Sequence, residues 1–120
     1  MGLRRDALQV ATRIMQEVVA IAHRHAPHGR GTVGMVHVHP NSRNVIPGRV
    51  SFSIDFRNHT DASVEAMAQE KGDYCRSLSN GSGLAIDLER VVSFTAQQFH
   101  PECVQTVRQA AIDLGLSHMP

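Results

Sequence analysis

The 120-residue sequence is poor in aromatic side chains, with four phenylalanines, one tyrosine and no tryptophan. Its core must therefore be built mainly from aliphatic side chains. The two cysteines, Cys75 and Cys103, lack CxxC spacing and fit a reducing, cytoplasmic compartment better than a disulfide framework. No apolar run approaches the length of a membrane span, and the N-terminus does not have the pattern of a secretion signal. These absences argue against a membrane protein and a secreted protein.

An excess of charge of one sign is also lacking, because 12 lysines and arginines face 11 acidic residues, which gives a net charge of +1 with neutral histidines. No basic cluster accompanies an aromatic platform, so nucleic acid is not the expected partner. Cys103 has no obvious base beside it, and we predict no catalytic residue in the chain. The length fits one domain that buries roughly two-thirds of the surface of the unfolded chain.

The most informative segment that is present runs from Arg49 to Arg57 and alternates strictly between polar and apolar residues. Side chains alternate between the two faces of a strand, so one face here is apolar and the other polar. This pattern is typical of a sheet that helices cover on one side only. The polar face ends at Arg57, whose guanidinium offers a rigid two-pronged donor to a carboxylate. The sequence therefore predicts an anion-binding arginine at this position.

Apolar periodicity and turn residues predict an α+β protein with the element order α-β-β-α-β-α. Gly34 weakens the first strand and indicates a bulge or a close backbone approach. The predicted elements are a helix over Arg4–His25, strands over Thr32–His39 and Arg49–Arg57, a helix from Thr60 or Asp61 to Asn80-Gly81, a strand over Leu84–Phe94, and a helix from Pro101 to Gly115.

This order resembles a ferredoxin-like two-layer sandwich, in which helices cover one face of an antiparallel sheet, but its opening strand is missing. The opening strand is central in that fold. The predicted strand over Leu84–Phe94 therefore has no proper neighbour, and the chain looks cut at its front.

Three segments carry a resemblance to a known family: LRRDALQVATRIM, GTVGMVHVHPNSRNVIPGRVSFSIDFRNHTDASVEAM and FHPECVQTVRQAAIDLGLSHMP. They resemble the N-carbamoyl-L-amino-acid hydrolase and allantoate amidohydrolase family, within the superfamily of dinuclear-metal aminoacylases and carboxypeptidases. The NVIPG-to-DFR block is the specific part. The resemblance implies that residues 1–99 are a lid and dimerisation domain and that residues 100–120 return to a catalytic domain that is absent here.

The resemblance also implies a division of labour. Asn44 and Arg57 match positions that bind the carboxylate of a small ureido acid substrate. The ligands of two divalent metal ions, of the zinc or manganese type, lie outside this chain, so we expect no cofactor and no activity from it alone. The family further implies a homodimer in which the edge strand Thr32–His39 pairs with its twin.

Simpler interpretations remain open. Arg57 could form a surface ion pair with Asp55, two residues back on the same face, and Asn44 could shape its loop through bonds to the backbone. His37 and His39 share a strand face, but a zinc site normally needs three or four convergent ligands, so we predict no metal site. As a whole, the chain could be a non-catalytic ferredoxin-like binding or assembly module, or a truncated gene product.

Overall fold

The computed structural model describes residues 4–119 and has three helices and four short strands, which confirms the α+β class. In chain order the elements are α1 (Ala7–Arg24), β1 (Arg30–Thr32), β2 (Val36–His39), β3 (Arg49–Phe52), β4 (Asp55–Arg57), α2 (Asp61–Ser82) and α3 (Pro101–Asp113).

The first helix, α1, begins three residues later than predicted because Asp6 caps it. The Oδ1 atom of Asp6 accepts hydrogen bonds from the backbone N–H groups of Leu8 and Gln9, at 3.1 and 3.2 Å. This satisfies two of the donors that a helix N-terminus leaves without partners. One face of the helix is buried at Ala11, Ile14, Val18, Ile21 and Ala22, which have the spacing of an amphipathic helix.

Capping residues set both ends of the second helix, α2: Thr60 at its start and Gly83 after its end. Thr60 accepts a hydrogen bond from the backbone N–H of Ser63, which is the expected N-cap geometry. The helix ends at Ser82, where Gly83 adopts a left-handed conformation with φ of 66° and donates its N–H to the carbonyl of Ser79. The predicted stop at Asn80-Gly81 is thus two residues early, because Gly83 supplies the turn.

The four strands form two antiparallel pairs, β1 with β4 and β2 with β3, which follow one another along a single hairpin ribbon. Each of the two predicted long strands is interrupted, one at residues 33–35 around Gly34 and the other at residues 53–54. A hydrogen bond of 3.0 Å from the Ser53 N–H to the Met35 carbonyl spans the interruption. The predicted alternation survives it, because from Arg49 to Arg57 every odd position is exposed and every even one is half-buried.

The apolar face of the ribbon meets both α1 and α2 at Phe56. This ring packs against Ile21 and Ala22 of α1 and against Met67 of α2, which has no exposed surface. Gly31 lies opposite Phe56 in the strand pair and lets β1 approach α1 closely. The two helices therefore cover one face of the ribbon, as the alternation predicted.

The prediction of a strand over Leu84–Phe94 is wrong, because the described chain has no strand between α2 and α3. The segment instead runs back along α2: Arg90 pairs with Glu65 at 2.8 Å, and the Ala96 N–H donates to Asp61 Oδ1 at 2.7 Å. Exposure alternates from Leu84 to Asp87, with Leu84 and Ile86 half-buried and Ala85 and Asp87 exposed. Alternation alone does not make a strand, however, since a strand also needs a neighbour to pair with its backbone.

The C-terminal part of the chain makes few contacts with the rest. The radius of gyration is 19.7 Å, whereas a compact domain of this length has a value of about 14 Å. None of the α3 residues is buried, and the large apolar side chains from Val91 onward remain exposed. Exposed apolar surface of this extent is typical of an interface.

A cluster of charged side chains joins the end of α1 to α2 and gives the stability a predicted pH dependence. Glu70 accepts hydrogen bonds from Arg24 at 2.9 and 3.0 Å and lies 2.6 Å from His25 Nε2. These contacts, first with His25 and then with Arg24, lower the pKa of Glu70 below its usual value. A carboxyl with a lowered pKa stabilises the fold above its unfolded-state pKa, and this contribution is lost as the pH falls through the folded-state pKa.

We therefore expect Glu70→Gln to lower the free energy of unfolding near neutral pH. Because the carboxylate is partly exposed, the loss should stay below about 1 kcal/mol. It should disappear at an acidic pH below the folded-state pKa of Glu70, where the wild-type carboxyl is also protonated. Urea unfolding at both pH values measures the difference. Glu89→Gln is the matched control, since Glu89 forms no ion pair among the described residues, and an equal loss there would contradict the assignment.

Candidate functional site

Arg57 ends β4 on the polar face of the ribbon, where 77% of its side chain is exposed. The preceding residue, Phe56, points to the opposite face and packs against the helices. Burial of Phe56 thus fixes the backbone that carries Arg57, while the guanidinium remains accessible to a ligand. This is the arrangement that the alternating pattern predicted.

The guanidinium has a partner in the chain. Its Nε and Nη2 atoms both donate to Oδ2 of Asp55, at 2.9 and 2.7 Å. The hydrogen bond to Asp55 raises the pKa of Arg57, so the side chain stays charged. The ion pair that we considered as the simpler interpretation is therefore present. It uses one edge of the guanidinium and a single carboxylate oxygen, and the Nη1 group has no partner among the described residues.

The polar face carries more positive than negative charge. Arg30 lies directly opposite Arg57 in the β1–β4 pair, and His39 lies opposite Arg49 in the β2–β3 pair. Among the strand residues on this face, Asp55 is the sole acidic one. The two arginines at one end avoid each other because Arg30 turns back and donates to the carbonyls of Pro27 and Gly29. The face suits an anion.

Arg30 was not recognised from the sequence as part of this surface. The signal that could have found it is the hairpin register, since pairing Phe56 with the small Gly31 places Arg30 opposite Arg57. The sequence alone gave no basis for choosing that register among its neighbours.

Asn44 lies in the exposed loop between β2 and β3. Its Oδ1 atom accepts a hydrogen bond from Ser42 Oγ at 3.2 Å. In the described part of the chain, no hydrogen bond connects Asn44 with Arg57, the other predicted site residue. The loop-shaping alternative is thus observed as a contact with a side chain rather than with the backbone.

Within residues 4–119, no three histidine, cysteine, aspartate or glutamate side chains converge as a metal site would require. Burial raises the pKa of the Cys75 thiol, so this cysteine is a neutral core residue, whereas Cys103 is exposed on α3. No helix among these residues is both long enough and apolar enough to cross a bilayer.

Comparison with known proteins finds relatives of this chain, although no family model matches it. The chain is 35% identical over 119 residues to an N-carbamoyl-L-amino-acid amidohydrolase of Rhizobium meliloti, covering 99% of the chain and 29% of that enzyme. It is 32% identical over 110 residues to the allantoate amidohydrolase of Escherichia coli K12, covering 91% of the chain and 26% of that enzyme.

The solved structures agree with the sequences. The crystal structure of an amidase of the hydantoinase/carbamoylase family from Burkholderia multivorans matches with a TM-score of 0.93 and 45% identity, over 99% of the chain and 29% of that protein. The chain thus spans less than a third of the length of these relatives. In sequence and in fold it is homologous to one segment of the amidohydrolases of the hydantoinase/carbamoylase family, as the motif resemblance indicated.

Proposed function

We propose that this chain is the lid and dimerisation part of a cytoplasmic amidohydrolase, and that Arg57 and Asn44 bind the carboxylate of an N-carbamoyl-L-amino acid or a related ureido acid such as allantoate. The observation that carries the proposal is the exposed Arg57 guanidinium on a strand whose other face packs against two helices. A charged, two-pronged donor fixed in this way can hold one end of a substrate while its other end is cleaved elsewhere.

The residues of this chain act by binding and orientation. In the proposed complex, a substrate carboxylate approaches the free Nη1 edge of Arg57 and either shares the guanidinium with Asp55 or displaces it. The amide side chain of Asn44, on its exposed loop, donates a further hydrogen bond. Fixing the acid end reduces the freedom of the ureido group at the reacting centre.

The two divalent metal ions implied by the family do not fit the described residues, which offer no convergent set of three ligands. We place their ligands outside this chain and assign no step of the metal chemistry to it. When bound in the catalytic part, such ions supply an activated water for hydrolysis.

The remainder of the chain has an assembly role in this proposal. We assign residues 1–99 to a ferredoxin-like lid and residues 100–120 to the return to the catalytic part, which would cover the exposed apolar side chains of α3. Strand β2 pairs with β3 along one edge, and we assign the edge strand around Thr32–His39 to pairing with a second copy.

A segment exchange tests the proposal. Residues 4–119 would replace the matching segment of the Burkholderia multivorans amidase, and hydrolysis of N-carbamoyl-L-amino acids and allantoate would be measured with zinc and manganese ions. We expect turnover by the exchanged enzyme and none by the 120-residue chain alone, because residues 4–119 offer no convergent set of metal ligands. Metal-dependent turnover by the isolated chain would overturn the division of labour, and a folded but inactive exchange would count against the lid assignment.

A purely structural role is the second candidate, favoured by the exposed apolar surface that begins at Val91. In that case the segment joins protein parts and Arg57 never contacts a substrate. The two candidates differ in what removal of the Arg57 guanidinium does to catalysis by the exchanged enzyme.

A further inference from the structure

Asp55 occupies one of the two edges of the Arg57 guanidinium that can hold a carboxylate. A guanidinium carries five N–H groups in a fixed plane, which form one pair on the Nε–Nη2 edge and another on the Nη1–Nη2 edge. Asp55 Oδ2 accepts from both donors of the first edge, at 2.9 and 2.7 Å. The second edge forms no hydrogen bond with the described residues. A ligand can therefore bind the second edge while Asp55 keeps the first.

This contact places a negative charge beside any acid that binds there. Asp55 and Arg57 are two residues apart in β4, so their side chains project from the same face of the ribbon. The side chain of Asp55 is 52% exposed, and its other oxygen, Oδ1, forms no hydrogen bond with the described residues. Its charge is therefore open to a ligand on this face, and like charges that meet at a binding site are disfavoured.

Among the strand residues of this face, Arg57 is the one cation that donates to Asp55. Thr32, which is uncharged, lies opposite Asp55 in the β1–β4 pair. Arg30 lies opposite Arg57, but its Nη1 group donates to two backbone carbonyls in the turn before β1, at 2.8 and 2.9 Å. A second acid group on the ligand would thus lie near the charge of Asp55, with no strand cation directed at it.

We propose, on the basis of the proposed function, that Asp55 is a specificity-determining residue that makes the site prefer acids with one carboxylate over acids with two. The first carboxylate binds the Nη1–Nη2 edge of Arg57, and Asp55 stays on the other edge. A second carboxylate on the same small molecule is repelled by Asp55, whereas an uncharged group in its place is not. The expected substrates are thus ureido acids whose side chain carries no negative charge.

A pair of ligands that differ by one charge tests the role of Asp55 in the exchanged amidase. N-carbamoyl-L-asparagine and N-carbamoyl-L-aspartate have nearly the same shape, and only the second has two carboxylates. Their inhibition constants are measured as competitors of the hydrolysis of N-carbamoyl-L-alanine, so neither compound needs to be cleaved. We expect Asp55→Asn to shift the ratio of the two constants about 5-fold in favour of the aspartate compound, the factor for like charges about 4 Å apart in water.

Three comparisons isolate the charge of Asp55 from its other effects. Asp55→Asn keeps an oxygen that can accept from Arg57, so the guanidinium retains a partner, and Asp55→Glu keeps the charge and should preserve the wild-type ratio. Asp87→Asn removes an exposed negative charge outside the ribbon and should also leave the ratio unchanged. Raising the salt concentration to about 1 M should weaken the wild-type preference, because the screening length then falls to about 3 Å.

An unchanged ratio in Asp55→Asn would overturn the inference, and if both compounds then bind more tightly, Asp55 merely competes for the guanidinium. The proposed function fails separately, if Arg57→Ala leaves the inhibition constant of the asparagine compound unchanged. If Arg57→Ala weakens that compound while Asp55→Asn leaves the ratio alone, the carboxylate site stands and the role of Asp55 is refuted. Equal urea midpoints, expected because the ion pair is exposed, exclude loss of the fold as the cause.

Discussion

Replacing Arg57 with alanine in the exchanged amidase should lower kcat/KM by about 10- to 150-fold, since hydrogen bonds to charged groups contribute about 1.5–3 kcal/mol. The loss should appear mainly as a higher KM, because an anchor on a distant carboxylate binds substrate and transition state alike. The variant should fold normally, because the Arg57–Asp55 ion pair is exposed and such pairs stabilise a protein little. Steady-state kinetics on an N-carbamoyl amino acid measures the effect.

Arg49→Ala is the matched control for this result. Arg49 is an exposed arginine on the same face of the ribbon, and we assign it no ligand. Arg57→Lys keeps the charge but loses the two-pronged donor geometry, so its kcat/KM should lie between those of the wild type and Arg57→Ala. If Arg57→Ala and Arg49→Ala have equal kinetics, the segment is an assembly element and the carboxylate site is refuted.

Gly31→Ala should destabilise the fold by about 1–3 kcal/mol, the usual cost of forcing an atom into a packed region. A Cβ atom at Gly31 would lie 2.6 Å from the backbone oxygen of Val18, and it would also press on Ala22 and Phe56 at 3.1 and 3.2 Å. The oxygen belongs to a helix backbone and cannot rotate away, so β1 must move off α1. The midpoint of urea unfolding should fall accordingly.

Gly48→Ala provides the comparison for Gly31→Ala. A Cβ atom there would meet nothing within 4 Å, and the φ angle of Gly48 is not positive. We expect this variant to be neutral, or more stable by up to about 1 kcal/mol, because alanine restricts the unfolded chain. Similar midpoints for the two alanine variants would show that the close approach of β1 to α1 does not limit stability.

The sequence predicted the parts of the fold that depend on local patterns. All three helices lie where periodicity placed them, and their ends follow capping residues such as Thr60 and Pro101. The alternation from Arg49 to Arg57 gave the two faces of the ribbon correctly. The prediction of a strand over Leu84–Phe94 failed because strand pairing is a property of two segments. The pattern of one segment cannot reveal that its neighbour is absent.

In the candidate site, too, the features that depend on a local pattern were predictable, and those that depend on pairing between segments were not. Exposure of Arg57 followed from its place in the alternation, and the ion pair with Asp55 followed from their spacing on one face. The pair Arg30–Arg57 was out of reach, because it depends on the register between strands that are more than 20 residues apart in the chain. The position of Asn44 depends on a loop whose conformation no periodicity describes.

Phe56 and Arg57 are consecutive residues on opposite sides of the ribbon, and Phe56 contacts both helices. A core substitution that shifts Phe56 must therefore displace the backbone of Arg57 as well, since a close-packed interior transmits strain. Under the proposed function, changes in affinity for an acid can then arise from residues that never touch it. Laboratory selection for altered substrate preference should accordingly randomise the inner positions of α1 and α2 together with the ligand-facing surface.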